Sequence, residues 1–241
     1  MPDQTIVLPI DGRAHLHVGT RSGRVTITAE ERDDLRIESG APLRSNKIRT
    51  DDDGKISITA ARGGSAWLKI RCPLGANVAI GAVSGRVELR GRFGPVRVTT
   101  VSGRIEVEQA EALDARSISG RITVGRCGGR CRLRTKSGRI TCDSAGDASI
   151  STLSGRIHLG DATGKVHAQS VSGKVEARSQ GKDDIAVQTL SGSVRIEVPK
   201  DVRPNARLRS MTGRPRCDCE EGDDIQIAVR SMSGKIEVVP F

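Results

Sequence analysis

Thr100-Val101-Ser102-Gly103-Arg104-Ile105-Glu106-Val107 decides the fold, because its pattern returns along most of the chain. The central glycine recurs at Gly85, Gly103, Gly120, Gly138, Gly155, Gly173, Gly192, Gly213 and Gly234. The intervals are 18, 17, 18, 17, 18, 19, 21 and 21 residues, and one more copy stands apart at Ser22-Gly23-Arg24. A short, nearly constant period is the signature of a repeat architecture. Two and four residues after the glycine come apolar pairs such as Ile105/Val107, Ile140/Cys142 and Val175/Ala177. Seven and five residues before it come Val96/Val98, Ala148/Ile150, Ile185/Val187 and their equivalents. Period-two alternation of this kind marks a strand with one buried face. Each repeat therefore holds two short strands, with Ser-Gly between them and a variable stretch behind.

Glycine at the junction suits a tight corner in which φ is positive. A hydroxyl column precedes it (Thr100, Ser117, Thr135, Thr152, Ser170, Thr189, Ser210, Ser231), followed by an aliphatic column (Val101, Ile118, Leu153, Val171, Leu190, Met211, Met232) broken by Lys136. Alternation must break at this corner, and the sequence leaves open which of the two columns points inward. Equivalent residues in columns suit parallel coils in which like stacks on like. The expected fold is an all-β β-solenoid of about nine coils of 17–21 residues, with an antiparallel meander as the alternative. The third stretch of each coil, such as Gly91-Arg92-Phe93-Gly94, reads as a short polar connection. Residues 1–75 are less regular and read as a β-rich cap, with Trp67 and Leu68 packing and Asp53-Gly54 turning a hairpin; residues 76–241 read as the solenoid. A longer loop runs from Val198 to Pro204. The chain is expected to close on its last strand, with Pro240 blocking further pairing and Phe241 covering the end or meeting a partner.

Composition agrees with a thin aliphatic interior. Of 241 residues, 36% are hydrophobic and only Trp67, Phe93 and Phe241 are aromatic. No apolar run approaches the ~20 residues of a membrane-spanning helix, and the N-terminus lacks the pattern of a signal peptide. The expected location is cytoplasmic or peripheral to a membrane. Cys127-x3-Cys131 and Cys217-x-Cys219 match zinc patterns poorly, so Cys72, Cys127, Cys131, Cys142, Cys217 and Cys219 read as reduced thiols. Asp51-Asp52-Asp53-Gly54 lacks the spaced ligands of a calcium loop. No cofactor and no nucleophile–base constellation is expected, and the chain reads as non-catalytic.

The tract from Leu68 to Asn77 (LKIRCPLGAN), the following VSGRVEL from Val83 and the repeated Val-Ser-Gly-[Arg/Lys]-[Ile/Val]-Glu-Val resemble a bacterial β-strand-repeat family of unknown function (domain of unknown function 4097), whose members are labelled adhesin-like. The resemblance is best from about 68 to 239. It implies a β-repeat fold and a link to the cell envelope and its stress responses. It offers no catalytic residues to carry over.

The formal net charge of +10 favours anionic partners. The residue after each glycine forms a basic column: Arg86, Arg104, Arg121, Arg139, Arg156, Lys174, Arg214 and Lys235. Two residues on, Glu88, Glu106, Glu176 and Glu237 are placed to neutralise it, whereas Arg121, Arg139 and Arg156 are followed by Thr123, Thr141 and His158. The same stretch holds Arg116, Arg132, Arg134 and Lys136. These seven residues form the candidate anion-binding set. The expected function is an interaction or scaffold module contacting a protein, an anionic polymer or a membrane surface. Non-specific nucleic-acid binding and self-assembly through the solenoid ends are the alternatives.

Overall fold

Equivalent repeat positions lie side by side in parallel ladders, as the column pattern requires. The computed structural model describes residues 4–10, 13–40, 47–51, 55–59 and 67–241. The described residues form strands, turns and loops with no helix. They divide into two units, Met1–Thr123 and Val124–Phe241.

The first unit holds β1 (Gln4–Pro9), β2 (His15–Thr20), β3 (Arg24–Glu30), β4 (Asp34–Ser39), β5 (Lys47–Thr50), β6 (Lys55–Thr59), β7 (Trp67–Pro73) and the long, repeatedly bent β8 (Asn77–Ser119). The coil made by β2 and β3 lies between two later ones. β2 pairs in parallel with β6 on one side and Asn77–Ala82 of β8 on the other. β3 does the same with β7 and with Arg86–Arg90 of β8. Antiparallel strands join the outer members: β5 pairs with β6, β4 with β7, and β1 with β4. The expected Asp53-Gly54 turn lies outside the described residues, but the flanking strands pair as a hairpin would, Thr50 opposite Ile56. Leu68 is buried, and Trp67 lies against Gly40 with the Lys69 ammonium 4.9 Å from its ring.

β9 (Ile122–Cys127) leads into the second unit. There follow β10 (Cys131–Ala145), β11 (Ala148–Ala162), β12 (Val166–Ser172), β13 (Val175–Ser179), β14 (Ile185–Ser191), β15 (Val194–Val198), β16 (Pro204–Ser210), β17 (Pro215–Cys217), β18 (Ile225–Ser233) and β19 (Ile236–Pro240). Segments before each repeat glycine form one ladder, here the leading sheet, in the order β10, β11, β12, β14, β18, β16. Segments after the glycine form the trailing sheet, in the order β10, β11, β13, β15, β19, β17. The meander alternative is thereby excluded for the repeats.

Coil order departs from chain order at the end. The last coil in sequence (β18, β19) sits inside the stack, and β16 and β17 form the outer coil. Pro240 does not terminate pairing at an edge; it stands opposite Val198, and the Phe241 N–H donates to the Val198 carbonyl at 3.0 Å. Phe241 therefore seats beside β15, under the Arg178 guanidinium at 4.3 Å, and does not cover the end of the stack. The longer loop between Val198 and Pro204 supplies the chain needed to step over one layer. The outer coil bears Pro204 and Pro215 together with Arg207, Arg209, Arg214 and Arg216, residue types that discourage further strand pairing.

The core is aliphatic, as expected. Leu133, Ile140, Ile157, Val175, Val187 and Ile196 are all buried. The open question at the corner is also answered: the hydroxyls Thr100, Ser117, Thr135, Thr152, Ser170, Thr189 and Ser231 are buried, and the aliphatic column is exposed. Short hydroxyl side chains fit against the glycine; some bond across the corner, while the hydroxyls of Thr100, Ser117, Thr152 and Ser170 are buried without a hydrogen-bond partner among the described residues. Ser231 Oγ donates to the Ser233 carbonyl at 3.0 Å, and Ser210 Oγ accepts the Gly213 N–H at 2.9 Å. The polar connection is more than a connection. Seven coils turn a residue inward there: Phe93 and Ala110 in the first unit, Cys127, Ala145, Ala162, Ser179 and Val198 in the second; the equivalent Cys219 and Pro240 are only half-buried. At Ala110, Cys127, Ala145 and Ala162 the buried position falls out of step with the alternating pair before it, whereas Ser179 and Val198 continue the alternation of their strands.

Glycine is required at the corner for two reasons. At Gly173 φ is 136°, a conformation that disfavours any side chain. At Gly120 φ is not positive, yet a Cβ would still collide with the carbonyl oxygen of Gly103 in the neighbouring coil. Close stacking of corner on corner demands glycine even where the dihedral does not.

Candidate anionic-partner interface

In the second unit the two sheets present opposite kinds of outer surface. The trailing sheet carries an ion-paired lattice. Lys174 pairs with Glu176, Lys235 with Glu237 at 2.5 Å, Arg195 with Glu197 at 3.1 Å, and Arg178 with Glu197 from the adjacent coil at 3.0 Å. The ammonium of Lys174 donates to Glu176 and holds its pKa below the usual carboxylate value. Arg195 acts likewise on Glu197, and Lys235 on Glu237. In the first unit Arg86 reaches Glu88 at 3.4 Å and Arg104 reaches Glu106 at 3.6 Å, so all four Glu partners expected of the basic column are engaged.

The leading sheet of the second unit carries no acid. Its segments read CRLRTKS (131–137), ASISTLS (148–154), VHAQSVS (166–172), IAVQTLS (185–191), IQIAVRSMS (225–233) and PNARLRS (204–210), without one Asp or Glu. Alternation turns Arg132, Arg134 and Lys136 outward at one margin and Arg230, Arg207 and Arg209 at the other. Uncharged Ser151, Gln169 and Gln188 lie between. Arg209 stands directly opposite Arg230, and across the corner Arg139 stands opposite Arg156. Like charges facing one another at the ~4.8 Å strand spacing repel by about 1 kcal/mol even in water. Bound anion would relieve that repulsion.

The structure separates the seven expected anion-binding residues. Arg132, Arg134, Lys136, Arg139 and Arg156 belong to the second unit, and Arg116 and Arg121 to the first. Arg134, Lys136, Arg139 and Arg156 are exposed; Arg132 is half-buried, with its Nε buried and unpartnered. Arg116 is not an uncompensated cation. Its guanidinium donates twice to Asp114, at 3.0 and 2.8 Å, because residues two apart on a strand share one face. Among the described residues Arg121, Arg134, Lys136 and Arg139 form no ion pair. Arg156 makes no direct pair but helps depress the pKa of Glu176. Sequence reasoning did not include Arg207, Arg209 and Arg230, because the change in coil order that aligns them is not visible in the repeat.

The Ser-Gly corners and parallel coils extend through nearly the whole chain, and so does the match to one family description. The chain belongs to the Toastrack DUF4097 family, whose model matches residues 14–238. No curated protein matches the sequence significantly. Similar solved structures include a proposed adhesin from Bacteroides fragilis NCTC 9343, with 14% identity, coverage of 100% of this chain and 97% of that one, and a TM-score of 0.45. A proposed adhesin from Parabacteroides distasonis ATCC 8503 has 11% identity, 98% and 97% coverage and a TM-score of 0.48. A proposed lipid-binding protein from the same strain has 9% identity, 98% and 96% coverage and a TM-score of 0.46.

Proposed function

We propose that this Toastrack protein is a non-catalytic interaction module that contacts an anionic partner through the acid-free leading sheet of its second unit. The observation that carries this reading is the absence of Asp and Glu from all six segments of that sheet, while Arg and Lys occupy both margins. A surface needed only for solubility would mix both signs, as the trailing sheet does. Arg132, Arg134 and Lys136 form one contact margin, with Arg139 and Arg156 beside it across the corner; Arg207, Arg209 and Arg230 form the other. Attraction of this kind is long-ranged and screened by salt. The test is titration of the protein with dextran sulfate across ionic strength. Saturable binding that weakens steeply with salt supports the reading, and no binding at low salt overturns it.

A further inference from the structure

The exposed aliphatic column has no role in the contact just proposed. In the second unit Leu153, Val171, Leu190, Met232 and Met211 stand on five adjacent coils, each between 40% and 75% exposed. At the strand spacing they form a straight apolar ridge about 19 Å long. Core packing does not explain it, since the core is filled by the inward columns. The ridge borders an elongated groove of about 640 Å³ that reaches from Thr135 to Met211, with the polar side chains of Gln169, Gln188 and Arg230 along it. Lys136 takes the ridge position in the next coil, and Arg156 follows Leu153 by three residues across the Ser-Gly corner.

We infer that this ridge and the acid-free sheet together dock on the surface of an anionic lipid bilayer, with the ridge entering the boundary between headgroups and acyl chains. The inference rests on the anionic-partner reading and names the partner. Charge selects it. A second copy of this chain would bring Arg209 and Arg230 against their equivalents with no acid on either face to offset them. A soluble polyanion would satisfy the arginines and leave the ridge in water. An anionic bilayer offers phosphate to the cations and apolar depth to the ridge at once. The long stems of Arg156 and Lys136 let their charged ends reach phosphates while the neighbouring aliphatic groups sit deeper.

The test uses the full chain with vesicles of phosphatidylcholine alone, and with about 30% phosphatidylglycerol, an anionic content of the kind that attracts basic surfaces. A second arm uses dextran sulfate. The variant Leu153→Thr/Leu190→Thr/Met232→Thr removes the ridge and keeps β-propensity. The wild type is expected to sediment with anionic vesicles and not with neutral ones. The ridge variant is expected to bind anionic vesicles at least roughly tenfold more weakly, given the apolar area withdrawn, and dextran sulfate as the wild type does. Equal vesicle binding by variant and wild type overturns the ridge's role. Binding to dextran sulfate but not to anionic vesicles overturns the bilayer inference and leaves the anionic-partner reading standing. Failure in both arms overturns that reading itself. A concentration-dependent dimer that the ridge variant abolishes, without vesicle binding, would assign the ridge to self-association and also overturn the inference.

Discussion

Replacing Gly120 by Ala separates the two reasons for glycine at the corner. Gly120 does not have a positive φ, so alanine meets no dihedral penalty there. Its Cβ would nevertheless overlap the carbonyl oxygen of Gly103 and lie 2.9 Å from Ser117 Oγ. A backbone carbonyl cannot swing aside as a side-chain tip can, so the two coils must part locally. Forcing an extra carbon into a packed site costs about 1–3 kcal/mol. Gly173→Ala should cost more. It adds the strain of φ 136° to the same collision, here with the Gly155 carbonyl, and strains the hydrogen bond from the Gly173 N–H to the Ser191 carbonyl at 3.1 Å. The dihedral strain alone is worth about 1–3 kcal/mol. Gly81→Ala is the control, because nothing lies within 4 Å of the added carbon; it should be neutral or slightly stabilising. Urea unfolding followed by circular dichroism reads all three as shifts in midpoint at a common slope. A Gly120→Ala protein as stable as the wild type would refute the stacking argument and leave glycine with a purely conformational role.

Other expectations follow from the core, the ion pairs and the thiols. Ile157 is fully buried between Ile140 and Val175 in adjacent coils, and Ile157→Ala should lower the unfolding free energy by about 2–5 kcal/mol in the same assay. Glu176, Glu197 and Glu237 have folded pKa values below the ordinary value of 4.5. Their contribution is therefore complete above that value and is lost as pH falls below it and through their folded pKa values. Thermal stability measured between neutral pH and pH about 3 should decline only in the acid part of the range, and Glu176→Gln should flatten the decline. Cys131 has its pKa raised by hydrogen bonding with Cys127 and Cys142 and by burial, and burial pushes Cys72 up to about 12. Exposed Cys217 should react with a thiol reagent in the native protein at neutral pH, and Cys219, pushed up to about 11 by burial and its neighbour Cys217, should react more slowly. The remaining four should react only on unfolding.

Much of the fold was legible because a solenoid repeats its instructions. Each coil states the same two alternating pairs around the same glycine, so strand type, parallel stacking and the aliphatic core follow from one period. The inward turn at Ala145 or Ala162 was hidden, since one small residue in a polar stretch carries no alternation. The reversal of the last two coils was hidden as well, although its trace was present: the two intervals around Gly213 are 21 residues, the longest in the series. That extra chain lets β16 step outward and β18 return.

The site was less legible, for electrostatic reasons. The trailing-sheet pairs could be read because Arg and Glu two residues apart share a strand face, and the same rule cost Arg116 its place in the set, through Asp114. The acid-free sheet could not be recognised until the corner hydroxyls were known to point inward. Only then do the residues flanking them, Arg134 and Lys136 or Arg230 and Met232, emerge on one outer surface.

Two charge-matched variants test the central claim most directly. Arg132→Ser/Arg134→Ser/Lys136→Ser removes cations from the acid-free sheet, and Lys174→Ser/Arg195→Ser/Lys235→Ser removes the same charge from the ion-paired sheet. Dextran sulfate affinity is measured for both against the wild type at one low salt concentration. The account predicts a loss of roughly tenfold or more for the first variant and little change for the second, because only the first takes away cations with no acid beside them. Equal losses in the two variants would mean that net charge alone attracts the anion, and would contradict the assignment of the leading sheet as the contact surface.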